Sequence, residues 1–252
     1  MRGTAKRAWL IGVALIAASA ALADPVTHPA KPEDYAALAK LPDWSGVWQP
    51  DWSGLFASRA ASTPVLLPDA AKTLAAFNAA KAEGKNLQTE LANCVPPGMP
   101  QIMRMPYPIE ILYTAGKVVM VIETESQVRH IYTDGRPLPE DPDPYFNGWS
   151  VGHWEGDTLI VDTIGLNPKT SLVPGVHPSE KARIQERIHL VGPDKLSIRT
   201  TITDPLILAQ PLVLETNYLR RRDWQIKEYV CQENNRDSAD EFGRPSLDIT
   251  KK

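Results

Sequence analysis

The chain has 252 residues, 43% hydrophobic and 23% charged, which suits one sizeable core and is too polar for an integral membrane protein. Its formal net charge is −3, and basic residues are scattered apart from Arg220-Arg221-Arg222 and a terminal Lys pair, so no footprint for nucleic acid is present. Twenty-three prolines spread along the chain argue for turns and short elements over long helices.

Residues 1–23 read as a secretory signal peptide: Arg2, Lys6 and Arg7 precede an apolar run from Ala8 to about Ala20, with small residues at Ala21 and Ala23 where a signal peptidase pocket admits them. The run is shorter than the roughly 20 residues that span a bilayer. Cleavage after Ala23 leaves 24 Lys plus Arg against 30 Asp plus Glu and no membrane span. The expected location is periplasmic or secreted. In an oxidising compartment the two cysteines, Cys94 and Cys231, are best explained as one disulfide.

Residues 24–107 form an irregular, partly helical segment expected to pack on the rest. Pro-initiated helices are predicted over 32–41 and 68–83, the second stopped by Gly84. Between them PDWSGVWQ and PDWSGLFA repeat in tandem, read as two turns pinned to a core by Trp44, Trp48 and Trp52. From Pro108 to residue 235 the chain changes to short Val/Ile/Thr/Tyr runs punctuated by Gly, Pro and Asp. Strands are predicted near 109–114, 117–123, 127–133, 148–154, 158–163, 183–190, 195–203, 212–219 and 225–232. Hairpin-short links at Ala115-Gly116, Glu155-Gly156-Asp157 and Gly192–Lys195 imply an antiparallel meander. The fold class is therefore mainly β, a meander closing into a lipocalin-like barrel, with a two-sheet sandwich as the alternative. Residues 236–252 read as a flexible tail.

Side chains alternate across a strand, so a polar residue in register with apolar ones marks an inward candidate. Glu186 shares a face with Ile184 and Ile188; Glu228 with Ile226 and Val230; Glu123 with Val119 and Val121; and His153 with Trp149 and Val151. An inward carboxylate must be paired, hydrogen-bonded or protonated, and such groups serve as general acids and bases. The same residues serve equally as structural ion pairs, with Arg129 or Arg199 as the partner of Glu186. Glu186, Glu228 and His153 are the catalytic candidates. Glu123, Arg129, His130, Tyr132, Trp149 and Trp154 are the substrate-binding candidates. Neither H-E-x-x-H, a nucleophile elbow, a phosphate loop nor a dinucleotide fingerprint occurs, so no metal and no cofactor is expected.

Residues 148–163, GWSVGHWEGDTLIVDT, resemble an uncharacterised family of exported bacterial β-proteins with the string GHWEGDTLVVDT. The likeness extends to CVPPGMP at 94–100, TDGRPLPEDPDP at 133–144 and EYVCQENN at 228–235. It implies a β fold and export and supplies no reaction. The string GVHPSEKAR departs from that family's histidine pattern, as does Trp149. Gly46-Val47-Trp48 is similar to the G-x-W of the first strand of lipocalin-like barrels, where the Trp plugs one end beneath a basic residue, a part for Arg220 to Arg222 here. The composite reading is an exported acid/base isomerase, lyase or hydrolase acting on a small molecule, the alternative being a non-catalytic periplasmic binding protein for a small apolar ligand.

Overall fold

A computed structural model of the protein describes residues 31–55, 63–84 and 94–231. The signal segment, residues 232–235 and the tail lie outside them. Nine strands form the wall: β1 Gly46–Pro50, β2 Ile109–Thr114, β3 Lys117–Ile122, β4 Gln127–Tyr132, β5 Trp149–Glu155, β6 Thr158–Ile164, β7 Arg183–Gly192, β8 Lys195–Thr203 and β9 Leu212–Arg220. They run in chain order around a closed barrel, β9 returning to pair with β1. Closure leaves no free sheet edge, which a long meander otherwise exposes.

Eight strands fall where the alternation places them, and the ninth does not. Of the segment 225–232, the described residues 225–231 are not a strand: the edge they would have joined is already taken by β1, antiparallel to β9 with Trp48 opposite Arg220. The meander is also not antiparallel throughout. β4 and β5 run parallel, joined at Ile131–Ser150 and Tyr132–Val151. The proline-rich link over 133–148, with Pro137, Pro139, Pro142 and Pro144, is too stiff and too long for a hairpin and carries the chain back to the starting end.

Both helices form as expected, α1 over Pro32–Leu38 and α2 over Pro68–Ala82. Neither has a buried residue, although Leu74 of α2 packs on the core. No helix among the described residues is long and apolar enough to cross a membrane. The outward faces of β7–β9 carry Arg187, Arg199 and Glu215, whereas the inward faces carry Ile184, Ile188, Ile198, Ile202 and Leu214. That polarity, charged outside and apolar inside, is the reverse of a barrel that faces lipid.

Each end of the barrel is closed. At one end Trp44 and Trp48 are fully buried, Trp48 donates its Nε1–H to the Trp44 carbonyl at 2.8 Å, and Trp154 packs on Trp44 with centroids 4.9 Å apart. The Arg220 guanidinium lies 4.4 Å from the Trp48 ring and donates to the Asp43 and Ser45 carbonyls. Arg220 thus occupies the position foreseen for a basic residue over the G-x-W tryptophan. Trp52 is not a core anchor; it is 40% exposed. The other end is closed by Met99, Ile102 and Met103, by Leu172 and Val176 from the link between β6 and β7, and by Leu208. Gly98, at φ +59°, brings that plug close: a Cβ there would collide with Thr170 and with the Phe146 carbonyl. Cys94, beside the plug, is bonded to Cys231.

Two outcomes follow from this arrangement. The disulfide closes a sequence separation of 137 residues, so replacing both cysteines by Ser should lower unfolding free energy by about 4–5 kcal/mol in chemical denaturation, according to the chain-entropy relation. At the tryptophan end, the Ser45 hydroxyl and then Arg220 hold the Asp43 carboxyl below the usual carboxylate range. A depressed folded-state pKa stabilises above the unfolded value and is lost as pH falls through the folded one. Acid titration below about pH 4 should therefore loosen this end, seen as a change in tryptophan emission, and Asp43→Asn should remove that part of the response.

Candidate functional site

The polar centre of the interior is assembled from four neighbouring strands. Arg129 of β4 and Glu186 of β7 are 1% and 0% exposed, and the guanidinium meets the carboxylate as a fork: Nη1 donates to Oε1 at 3.1 Å, while Nη2 bonds Oε2. Nη2 also reaches Ser150 Oγ of β5 at 3.3 Å and Thr163 Oγ1 of β6 at 3.2 Å, and those two hydroxyls are 2.8 Å apart. The Arg129 Nε is buried with no hydrogen-bond partner. Tyr218 of β9 is fully buried nearby and donates to the Met103 carbonyl at 2.7 Å. Burial first, and then the Glu186 charge, push its hydroxyl well above the ordinary phenol range.

Local sequence explains each placement. Glu186 lies between Ile184 and Ile188 on the inward face of β7, as its alternation requires. Thr163 continues the inward series Leu159, Val161, and Tyr218 the series Leu212, Leu214, Thr216. Neither residue was singled out from sequence, although the same alternation contains both. Ser150 was missed because β5 was read with its faces reversed. The inward residues there are Ser150, Gly152 and Trp154, not Trp149, Val151 and His153. Gly152 permits the reversal, since a Cβ on it would stand 3.1 Å from Ile131 Cγ2.

Several candidates therefore lie outside the interior. His153 is exposed, its Nε2 3.5 Å from Glu155 Oε1 on the surface. Trp149 is half-buried on the outer face, donating to the Asp143 carbonyl at 3.0 Å. His130 and Tyr132 also face outward, and the Arg136 guanidinium stacks on Tyr132 at 3.9 Å. Glu123 and Glu228 are not inside the barrel. In β3 both faces are apolar, and Val118, Met120 and Ile122 point inward, leaving Glu123 past the strand end, where its Oε2 accepts from the Lys227 backbone N–H at 2.9 Å. It lines an outer groove of about 500 Å³ with Pro108, Trp224 and Gln225. Glu228 is exposed on the irregular strap after β9. Arg129 is buried as the partner of Glu186, whereas Arg199 pairs with Glu215 on the surface at 2.8 Å. Trp154 is inward, in the tryptophan plug.

The constellation is thus one guanidinium, one carboxylate and two hydroxyls, in contact and enclosed by aliphatic wall. Both oxygens of Glu186 are engaged by Arg129, so the carboxylate is not free to approach a substrate proton. The Ser179 Oγ donates to Asp204 Oδ1 at 2.7 Å, and His177 Nδ1 is bonded to the Thr170 carbonyl, so this histidine does not bridge that serine to the carboxylate. Among the described residues, no group of three His, Cys, Asp or Glu side chains is placed to hold a metal ion.

The class defined by this geometry is a closed, nine-stranded barrel with an apolar interior and the buried Arg129–Glu186 ion pair. No family model matches the chain, and no curated protein matches its sequence. Among solved structures the chain is similar to a mutant of the fluorescent protein UnaG, at 13% identity over 54% of this chain and 88% of that one, with a TM-score of 0.30. The barrel is established by the strand pairing itself.

The pair's energetics are directly testable. Glu186→Gln leaves the Arg129 charge buried without its counterion and should lower stability by about 3–5 kcal/mol in urea denaturation. Replacing both residues by apolar ones of similar volume, Arg129→Met with Glu186→Leu, should recover most of that loss, because the desolvation of two charges is removed with them.

Proposed function

We propose that the protein is an exported small-molecule binding barrel, and that its interior ion pair fixes the polar end of a mainly apolar ligand without catalysing its turnover. The observation that carries this reading is the Arg129 side chain, 1% exposed in an aliphatic interior, with a buried Nε that has no partner. A buried N–H left unpaired is costly, and an acceptor oxygen on a ligand would satisfy it. The charges of Arg129 and Glu186 compensate each other. A charged ligand would bring an unpaired charge into the interior, whereas a neutral one would not, so the ligand class is neutral, with a carbonyl or ether oxygen among apolar groups. Export is supported by the Cys94–Cys231 disulfide and by the leader pattern of residues 1–23.

The acid/base reading loses support because the carboxylate it needs is engaged through both oxygens. The test is equilibrium binding of neutral and anionic apolar probes of equal size, read by tryptophan emission, to wild type and to Arg129→Met. Preference for the neutral probe, and at least about tenfold weaker binding to the variant, are expected for loss of a buried hydrogen bond to a charged group. A compound that wild type converts, with turnover about 10²- to 10⁴-fold lower in Glu186→Gln, would restore the enzyme reading.

A further inference from the structure

Both ends of the barrel are plugged by fully buried side chains, so a route to the interior has to be found in the wall. Most of the wall is tied by long antiparallel ladders; β8 and β9 pair from Lys195–Leu219 to Ile202–Leu212. The short β1 is reinforced at both ends of its pairing with β9 by Arg221 N–H to the Val47 carbonyl, Asp51 N–H to the Asn217 carbonyl, and the stacked Trp48 and Arg220, and it registers with β2 from Gly46–Ile111 to Trp48–Ile109. The β4–β5 seam has none of this. It is paired at Ile131–Ser150 and Tyr132–Val151 alone. Where the ladder would continue, the Asn147 side chain makes the link, its Nδ2 donating at 3.4 Å to the Val128 carbonyl and to Gln127 Oε1. Val128 beside it is 44% exposed.

Two buried polar atoms without partners lie along this seam: Arg129 Nε and Asn147 Oδ1. Each is an energetic penalty of the closed wall that contact with water would relieve, which brings an open state closer in free energy. The strand on the far side is tied to its own neighbours. Tyr145 N–H donates to the Gly165 carbonyl at 2.9 Å, and the Asn167 N–H to the Tyr145 carbonyl at 3.0 Å. Residues 145–149 can therefore part from β4 as one piece with β6. What crosses the seam on the inside is Arg129, reaching from β4 to Ser150, Thr163 and Glu186.

We propose that the barrel admits its ligand by parting of β4 from β5, and that the Arg129–Glu186 pair, with Ser150 and Thr163, is the latch on that seam. What passes through rests on the binding reading above; the opening itself does not. One group then does two jobs: it closes the wall and presents the polar contact, so a ligand that occupies Arg129 Nε also favours the closed state.

Hydrogen exchange on the oxidised mature protein tests this directly. Peptides covering 127–132 and 145–151 should exchange at least about tenfold faster than those covering β7 and β8, through an opening short of global unfolding. A staple made by Tyr132→Cys with Val151→Cys, at registered positions outside the latch and with its bond located by mass spectrometry, should bring the seam to the level of the other ladders. Arg129→Met with Glu186→Leu should accelerate exchange at the seam more than at β7–β8. Equal protection of seam and ladders in wild type, or no change on stapling, overturns the opening; no acceleration in the double variant overturns the latch. Uptake of the neutral dye Nile red should be at least about tenfold slower in the stapled protein at an unchanged end point. If the dye binds neither form, the binding reading falls for this class of probe, while the exchange pattern still decides the seam.

Discussion

A guanidinium and a carboxylate enclosed in an aliphatic barrel can persist only in contact with each other, and here that requirement ties four strands together. Arg129 and Glu186 belong to β4 and β7, and the hydroxyls that complete the cluster belong to the two strands between them. Misplacing β4 or β7 by one residue would turn a charge outward and leave its partner buried alone, a penalty of several kcal/mol, and misplacing β5 or β6 would withdraw a hydroxyl from Arg129. The pair therefore acts as a register device, and it does so across the one parallel junction, where the backbone ladder is shortest.

The two plugs solve a different problem. A barrel of nine strands has open mouths, and each mouth here is filled by side chains from strand ends and from the segments that flank them. The tryptophan end uses residues 44–48 and the cation of Arg220, an arrangement in which aromatic faces shield the interior and the guanidinium satisfies two backbone carbonyls. The other uses residues 99–103 behind Gly98, held near the wall by Met99 N–H to the Phe146 carbonyl. The Cys94–Cys231 bond joins the chain entering this plug to the strap that leaves β9. Stability and enclosure thus come from the same segments.

Enclosure also bears on function. A general base needs an accessible lone pair, and Glu186 has both oxygens on Arg129. A binding site needs an unsatisfied group in an apolar setting, and Arg129 Nε is one. The same buried pair that makes proton transfer unattractive makes recognition of a neutral acceptor chemically reasonable. It also concentrates the polar strain of the wall at a seam with little backbone pairing.

The sequence by itself determined the β class, eight of the strands, the two helices, the disulfide partners and the inward position of Glu186, because each is a local signal: alternation, a helix-starting proline, a cysteine count. It also contained the likeness that places a basic residue over Trp48. Local signals were not enough where both faces of a strand are apolar, as in β3, or where a glycine lets the wall approach closely, as at Gly152 in β5. There the faces were read in reverse, and Glu123 and His153 were placed inside. Residues 225–232 alternate like a strand, yet whether a segment pairs depends on a free edge, and β1 had already taken it. Which cation meets Glu186 was likewise decided by the fold: Arg129 is 57 positions away in sequence, and only barrel closure brings its charge into the same low-dielectric interior, where neither ion can remain without the other.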